Sequence, residues 1–111
     1  MIQLKNLRKG YKSGNNITLI VNASRLDIQA GERVAIVGES GSGKTTLLNL
    51  ISGLVKADSG EIVINGNDIC KLKEARRDRF RANNIGYLFQ SFHLLDGYSA
   101  VENVELGMLF A

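Results

Sequence analysis

Cysteine and long apolar runs are scarce in this chain of 111 residues. The single cysteine, Cys70, excludes an internal disulfide and a metal site built from a cysteine cluster. No apolar run reaches the length of about 18 residues that a membrane-spanning helix needs. Residues 1–10 alternate apolar and basic side chains, which differs from the continuous apolar core of a signal peptide. Together these absences predict a cytosolic protein.

Charge of either sign is also modest, because 14 Lys and Arg face 11 Asp and Glu, for a net charge of +3. Much of the basic excess lies in residues 71–81, which hold six cations beside Glu74 and Asp78. A nucleic-acid surface would interleave aromatic residues with these cations, and only Phe80 is present. We therefore interpret the segment as a solvated helix face and predict no nucleic-acid partner.

The hydrophobic patterns predict one α/β domain in which short strands precede and alternate with helices. Strands are expected at residues 2–7, 17–21, 26–28, 34–37, 61–64 and 85–89. Helices are expected at residues 44–52 and 72–83 and after Ser99. Turns are expected at residues 10–16, 30–32 and 65–66. Residues 34–37 are wholly apolar, which is typical of a strand buried on both faces.

A glycine-rich motif carries the chemistry of this sequence. Residues 38–45 fit the P-loop pattern G-x-x-x-x-G-K-[ST] at every fixed position. A loop that wraps a phosphate chain must turn backbone N–H groups inward, which requires dihedral angles that glycine adopts at little cost. The helix that begins near Lys44 directs its amides and its positive dipole end at the same anion. Lys44 can reach the β- and γ-phosphates, and the Thr45 hydroxyl can ligate Mg²⁺.

The surroundings of the motif favour a P-loop over a flexible Gly/Ser linker, because an apolar strand precedes it and a helix follows it. A linker would not be flanked by the apolar segments 34–37 and 47–50. A P-loop indicates nucleotide phosphate binding, but several classes of enzyme share it. The remaining residues must therefore indicate the reaction.

Further motifs surround the P-loop in a defined order. The strand segment 2–7 comes first and is followed by Lys9 and Tyr11. The P-loop lies within the next two segments, 31–38 and 40–48. Three segments follow it, at residues 53–54, 59–62 and 85–90, and the last of them ends at Gln90. This series resembles the nucleotide-binding subunits of ABC transporters, with Tyr11 in the aromatic A-loop and Gln90 in the Q-loop. Within that family, residues 92–95 and 100–104 are most similar to the lipoprotein-releasing and macrolide-export group.

The resemblance implies an α/β fold of the P-loop NTPase, ABC ATPase type. The chain would form its N-terminal half, with an antiparallel β-subdomain, the P-loop strand, loop and helix of the catalytic core, and an incomplete central sheet. Residues 1–91 would hold the β-subdomain and core, and residues 92–111 would begin the helical subdomain. Without further strands, residues 34–37 would expose unpaired edges and apolar faces, which favours aggregation.

The same resemblance implies an ATP site with Mg²⁺. Tyr11 would stack on the adenine ring, although a tyrosine there could instead merely cover a sheet edge. The triphosphate would be held by Gly38, Ser40, Gly41, Ser42, Gly43, Lys44, Thr45 and Thr46. Lys44 and Gln90 would be catalytic, and Thr45 and Gln90 would contact the metal. The implied partners are a transmembrane domain and a second nucleotide-binding domain, which would place the chain at the cytoplasmic face of the membrane.

Three elements of the family are absent from the sequence: the Walker B strand ending in Asp-Glu, the LSGGQ signature and the switch histidine. His93, the only histidine, follows Gln90 and is interpreted as a loop residue. The family also usually has prolines near Ala57 or Asp58 and at Asp96. Without these prolines the turns are more flexible, which costs up to ~1 kcal/mol of conformational entropy for each proline on folding.

Three functions remain open at this stage. The first is the N-terminal part of an ATPase that drives export, with hydrolysis only in the complete domain dimer. The second is a truncated, non-hydrolytic nucleotide-binding fragment or regulator. The third, an unrelated P-loop kinase, is disfavoured because nothing in the sequence resembles a lid or an acceptor site.

Overall fold

A long β-hairpin forms the frame of the fold in the computed structural model, which describes residues 1–91 and 93–109. Strands β1 (Ile2–Ser13) and β2 (Asn16–Ile28) pair antiparallel along their whole length. Strand β3 (Ser59–Ile64) pairs with the other side of β1, and the short β4 (Asn67–Asp68) pairs with β3. The result is a four-stranded antiparallel sheet in the order β2-β1-β3-β4.

The described residues also form three α-helices. They are α1 (Lys44–Ile51), α2 (Glu74–Asn84) and α3 (Ala100–Met108), and a 3₁₀ turn, Ile69–Lys71, precedes α2. The start of α3 is fixed by a capping box, in which the Ser99 hydroxyl and the Glu102 carboxylate each accept a backbone N–H of the other residue. None of the helices in the described ranges is long and apolar enough to cross a membrane.

The core lies between the sheet, α1 and the 3₁₀ turn. Alternation along the strands sends every second side chain to one face of the sheet. The buried apolar residues are Leu4 and Leu7 from β1, Val21 from β2, Ile62 and Ile64 from β3, Leu50 from α1 and Ile69 from the 3₁₀ turn. Helix α1 is thereby anchored on the sheet by its C-terminal half, which leaves its N-terminal end for another role.

Two β-bulges occur along β1 in the described part of the sheet. Between β1 and β2 the register slips after the pair Lys9–Val21, so that Ile20 is the extra residue on β2. Between β1 and β3 the register slips near Gly60, where two residues of β1, Asn6 and Leu7, oppose one residue of β3. Bulges of this kind bend a strand and redirect a side chain.

The sequence expectations for the β-subdomain and the three helices are confirmed in outline. The turn predicted at residues 10–16 is smaller, because β1 continues to Ser13. The two strands predicted at 17–21 and 26–28 form the single strand β2. The turn at Asn65 and Gly66 is confirmed, with the positive φ angles of 48° and 83° that a type I′ turn requires.

The strands predicted at residues 34–37 and 85–89 are wrong for this structure. Neither segment belongs to the sheet. A strand is stabilised by hydrogen bonds to a neighbouring strand, and no backbone bond within the described residues joins either segment to one. Part of each segment is accordingly exposed, with Val37 87% and Leu88 98% accessible. Phe92, Phe110 and Ala111, which belong to the predicted helical segment 92–111, lie outside the described residues.

Gly60 is required by the second bulge. Its φ angle is +101°, and a Cβ atom there would lie 2.7 Å from the Leu7 Cα and also meet the carbonyl oxygen of Asn6. We expect Gly60→Ala to lower the free energy of unfolding through both the left-handed backbone and the steric overlap. Gly66→Ala is the matched control, because its φ is +83° but no atom lies within 4 Å of the added methyl. Chemical denaturation should show a loss of ~1–2 kcal/mol for Gly66→Ala and an additional ~1–3 kcal/mol for Gly60→Ala. Equal losses would contradict the steric role of Gly60.

Asp58 ties the loop before β3 to the first bulge. Its carboxylate accepts the backbone N–H of Gly10 at 2.8 Å and the ammonium of Lys9 at 3.3 Å. The hydrogen bond from Gly10 is the main cause that lowers the pKa of this carboxyl below 3.8, and the charge and hydrogen bond of Lys9 act in the same direction. The bulge is therefore fixed by a charge-assisted contact.

The lowered pKa of Asp58 makes this contact sensitive to acid. Because the folded pKa lies below the unfolded one, the carboxylate stabilises the fold above the unfolded pKa of 3.8 and loses that effect as pH falls through the folded pKa. We expect the wild-type chain to unfold at a higher temperature than Asp58→Asn at pH 6, with the difference shrinking below about pH 4. Asp96→Asn, at an exposed aspartate before α3, is the control. A pH-independent difference between wild type and Asp58→Asn would contradict the role of the charge.

Candidate functional site

The loop 38–43 between the apolar segment and α1 has the backbone of a cradle. Gly41 and Gly43 have φ angles of +80° and +95°, which L side chains rarely adopt. A Cβ atom at Gly38 would lie 2.7 Å from the Ser42 hydroxyl oxygen, so the loop closes on itself at this point. The Ser42 N–H donates to the Glu39 carbonyl at 3.1 Å and completes the turn.

The loop touches the sheet at the first bulge. A Cβ atom at Gly43 would lie only 2.8 Å from the Ile20 carbonyl oxygen. Ile20 is the extra residue of β2, so the bulge brings its backbone against the loop. The N-terminal end of α1 is thereby fixed on the hairpin while the C-terminal half of the helix packs in the core.

The N-terminal end of α1 is prepared for an anion. Gly43 stands at the N-cap, no side chain caps the helix, and no acidic residue lies in its first turn. The first amides of a helix have no partner within the helix, and the helix dipole adds positive potential at the same place. A phosphate group is the natural ligand of such an end.

Lys44 lies across the loop. Its ammonium donates to the carbonyl oxygens of Gly38 and Glu39, the second at 2.7 Å. An ammonium has three donors, so one remains for a ligand while two hold the side chain in the loop. Lys44 is also the one charged side chain among the described residues that line the adjoining cavity.

A cavity of about 380 Å³ opens beside the loop and brings most of the predicted residues together. Its lining consists of Ile20, Ser40, Gly41, Gly43, Lys44, Thr45, Thr46 and Gln90. Gly38 and Ser42 shape the loop without lining the cavity. Gln90 therefore lies at the same cavity as Thr45, although the two residues are far apart in the sequence.

Tyr11 does not line this cavity. It lies on β1, pairs with Thr18 just beyond the bulge at Ile20, and is 46% exposed. The Lys9 ammonium lies 5.5 Å from the centre of its ring. Its ring is thus available at the edge of the hairpin, and its predicted contact with a base stays a prediction.

Sequence reasoning missed two parts of the site. The apolar run 17–21 predicts a strand but not the bulge at Ile20, because a bulge leaves no signal in a run of apolar side chains. The pair Asn49 and Tyr87 was also missed, although the Tyr87 hydroxyl donates to Asn49 Oδ1 at 2.8 Å. The spacing of four residues from Thr45 to Asn49, which places both on one face of α1, was the available signal.

The residues at the cavity fit Mg²⁺ only together with a phosphate ligand. Thr45 and Gln90 offer a hydroxyl and an amide oxygen, which are neutral ligands of the hard type that Mg²⁺ takes. No carboxylate occurs among the described residues that line the cavity. No group of three or more His, Cys, Asp or Glu able to hold a metal occurs in the described part of the chain. Phosphate oxygens and water would therefore have to complete the coordination.

Comparisons with known proteins all indicate the same family. The family described as ABC transporter matches residues 21–109. The lipoprotein-releasing system ATP-binding protein LolD of Chromohalobacter salexigens is 44% identical over 109 residues, covering 98% of this chain and 46% of the relative. The macrolide export ATP-binding/permease protein MacB of Shigella sonnei is 40% identical over 111 residues, covering 100% of this chain and 17% of the relative.

A solved structure shares the fold. The ATP-binding cassette MJ0796, in its dimeric post-hydrolysis state bound to ADP and Pi, matches with a TM-score of 0.93 and 41% identity. The match covers 99% of this chain and 47% of the cassette. The chain thus spans about half the length of that cassette and of LolD, and a smaller part of MacB. It belongs to the ABC transporter family and corresponds to the N-terminal part of the ATP-binding domain.

Proposed function

We propose that this chain binds the triphosphate of ATP at the cavity beside loop 38–43, as the N-terminal part of the ATP-binding subunit of an ABC membrane transporter. The observation that carries the proposal is the convergence of an uncapped helix end, two glycines with positive φ and the Lys44 ammonium on one cavity. All three features favour the same ligand, a chain of phosphates. The match to a cassette structure that holds ADP and Pi supports the choice of nucleotide.

Each residue has a proposed task. The backbone of Ser40, Gly41 and Gly43 follows the phosphates, and Lys44 neutralises the charge of the β- and γ-phosphates. Thr45 and Gln90 would hold Mg²⁺ through their side-chain oxygens, and the ion would supply positive charge to the phosphates when bound. The exposed ring of Tyr11 stacks on the adenine.

Hydrolysis, in this proposal, needs residues beyond the cavity described above. The activation of water requires a base or a positioning group. Among the described residues that line the cavity, Gln90 supplies the one side-chain amide and none supplies a carboxylate. We therefore assign ATP hydrolysis to the complete domain paired with a second nucleotide-binding domain. The alternative is a nucleotide-binding fragment that does not hydrolyse ATP, which the lack of a carboxylate at the cavity also favours. Single-turnover hydrolysis of ATP by the 111-residue chain alone would contradict both.

The proposed partner is the transmembrane domain of an exporter of the lipoprotein-releasing or macrolide-export type. Such a partner would hold the chain at the cytoplasmic face of the membrane. The support is the likeness to LolD and MacB together with the exposed apolar side chains of α3. Val101, Val104 and Met108 on this helix are each about two-thirds exposed, at 66%, 67% and 67%. In this proposal residues 92–111 begin the helical subdomain that faces the membrane partner.

Lys44→Ala tests phosphate binding. In the wild-type chain, ATP with Mg²⁺ at 100 times its dissociation constant should add about 2.7 kcal/mol to the free energy of unfolding, or on the order of 10 °C in the unfolding temperature. The variant should lose this shift because it lacks the one charged side chain at the cavity. Lys56→Ala, at an exposed lysine before β3, should keep it. Circular dichroism with and without ATP measures the shift, and an equal shift in wild type and Lys44→Ala would overturn the proposed site.

Tyr11→Ala tests base stacking. Because stacking on an aromatic ring contributes roughly 1–3 kcal/mol per base, the affinity for ATP should fall about 5- to 150-fold. Affinity for inorganic tripolyphosphate, which has no base, should stay the same. Tyr11→Phe keeps the ring and should keep the ATP affinity. Titration calorimetry with the two ligands makes the comparison, and an equal loss for both would show that Tyr11 supports only the sheet edge.

A further inference from the structure

The segment 85–89 is held beside α1 without strand pairing. Its backbone bond to the rest of the described chain is the one from the Ile85 N–H to the Arg81 carbonyl, at 2.9 Å. Further along, the segment is tied by a side chain, because the partly buried Tyr87 hydroxyl donates to Asn49 Oδ1 at 2.8 Å. The Phe89 ring packs on the Tyr87 ring, with centroids 4.5 Å apart. This hydrogen bond and the packing of Ile85 against the core thus hold the segment in place without a strand ladder.

This hydrogen bond joins the two elements that supply the proposed metal ligands. Asn49 lies four residues after Thr45 and therefore on the same face of α1. Tyr87 lies three residues before Gln90. A second cavity of about 550 Å³ is lined by both members of the pair and by Thr45 and Gln90, and the last two also line the phosphate cavity.

We propose that the Tyr87–Asn49 hydrogen bond is a clamp that positions Gln90 opposite Thr45 for binding of Mg²⁺ with ATP. Tyr87 and Asn49 are positioning residues in this proposal, since neither lines the phosphate cavity. The clamp fixes the distance between two neutral oxygen ligands that come from separate elements. Mg²⁺ demands near-ideal octahedral geometry, so a small shift of Gln90 weakens its hold on the metal while the contacts of the loop with phosphate remain.

The clamp rests on the proposed function, and it predicts an effect that depends on the metal. Calorimetric titration of the wild-type chain with ATP in MgCl₂ and with ATP in EDTA gives the increase in affinity due to Mg²⁺. We expect Tyr87→Phe to reduce the affinity for ATP in MgCl₂ roughly three- to tenfold, as for the loss of one hydrogen bond. Its affinity for ATP in EDTA should change much less. Tyr98→Phe, which removes a hydroxyl from an exposed tyrosine at neither cavity, is the matched control.

A double-mutant cycle separates the clamp from general packing. Asn49→Ala should reproduce the effect of Tyr87→Phe, and the double variant should lose no more than either single variant, because both remove the same bond. Tyr87→Phe should likewise add little to Gln90→Ala. Thermal unfolding of each variant identifies any loss that comes from misfolding.

The outcomes are distinct. Equal losses in MgCl₂ and EDTA, unchanged affinity in both, or additive effects of Tyr87→Phe and Asn49→Ala would overturn the clamp while leaving ATP binding in place. A wild-type chain that binds ATP under neither condition would overturn the proposed function, and the clamp with it.

Discussion

The site depends on the close approach of the loop glycine Gly43 to the carbonyl oxygen of Ile20. A Cβ atom could not fit at the observed separation, where it would lie 2.8 Å from that oxygen. The contact exists because β2 bulges at Ile20, and the bulge is stabilised from the other strand by the bonds of Asp58 to Lys9 and Gly10. The end of α1 is therefore held in place by the sheet as well as by the loop. A rigid anion site requires such an anchor, because amides that move must be ordered again when the ligand binds.

Helix α1 packs into the core with one part of its surface and borders the cavity with another. Leu50 is fully buried in the core, and Thr45 and Asn49 share the face toward segment 85–90. The helix has eight residues, which is too short for stability in isolation. Packing of its C-terminal half in the core must therefore stabilise the helix. With that stabilisation, the N-terminal amides can remain without a capping side chain. This division explains why the first turn can lack an acidic residue and a capping side chain.

The sequence predicted those parts of the structure that local chemistry determines. The P-loop motif singled out Gly41, Gly43, Lys44 and Thr45, which meet at the cavity. The hydrophobic patterns predicted the strands that hold the buried residues Leu4 and Ile62. The contact of Gln90 with the cavity came only from family resemblance, because nothing in the residue itself indicates what it approaches across the fold. Segments 34–37 and 85–89 were predicted as strands from their apolar side chains. An apolar side-chain pattern indicates that a segment is compatible with a buried strand. The strand forms only if a partner strand is present to accept its hydrogen bonds, and the pattern of the segment does not show whether one is.

The charged groups at the cavity suit phosphate binding better than they suit ATP hydrolysis. A cavity whose described lining includes Lys44 and no carboxylate is suited to hold a polyanion, because no negatively charged side chain of that lining repels phosphate oxygens. The same composition is poorly suited to take a proton from water, because neither a hydroxyl nor an amide is a base near neutral pH. A carboxylate that performs this step would also repel the γ-phosphate. If phosphate binding and water activation lie on separate parts of a fold, the carboxylate does not repel the phosphate while the nucleotide and its metal bind. In the proposed function, the described residues supply the part of this division that binds phosphate.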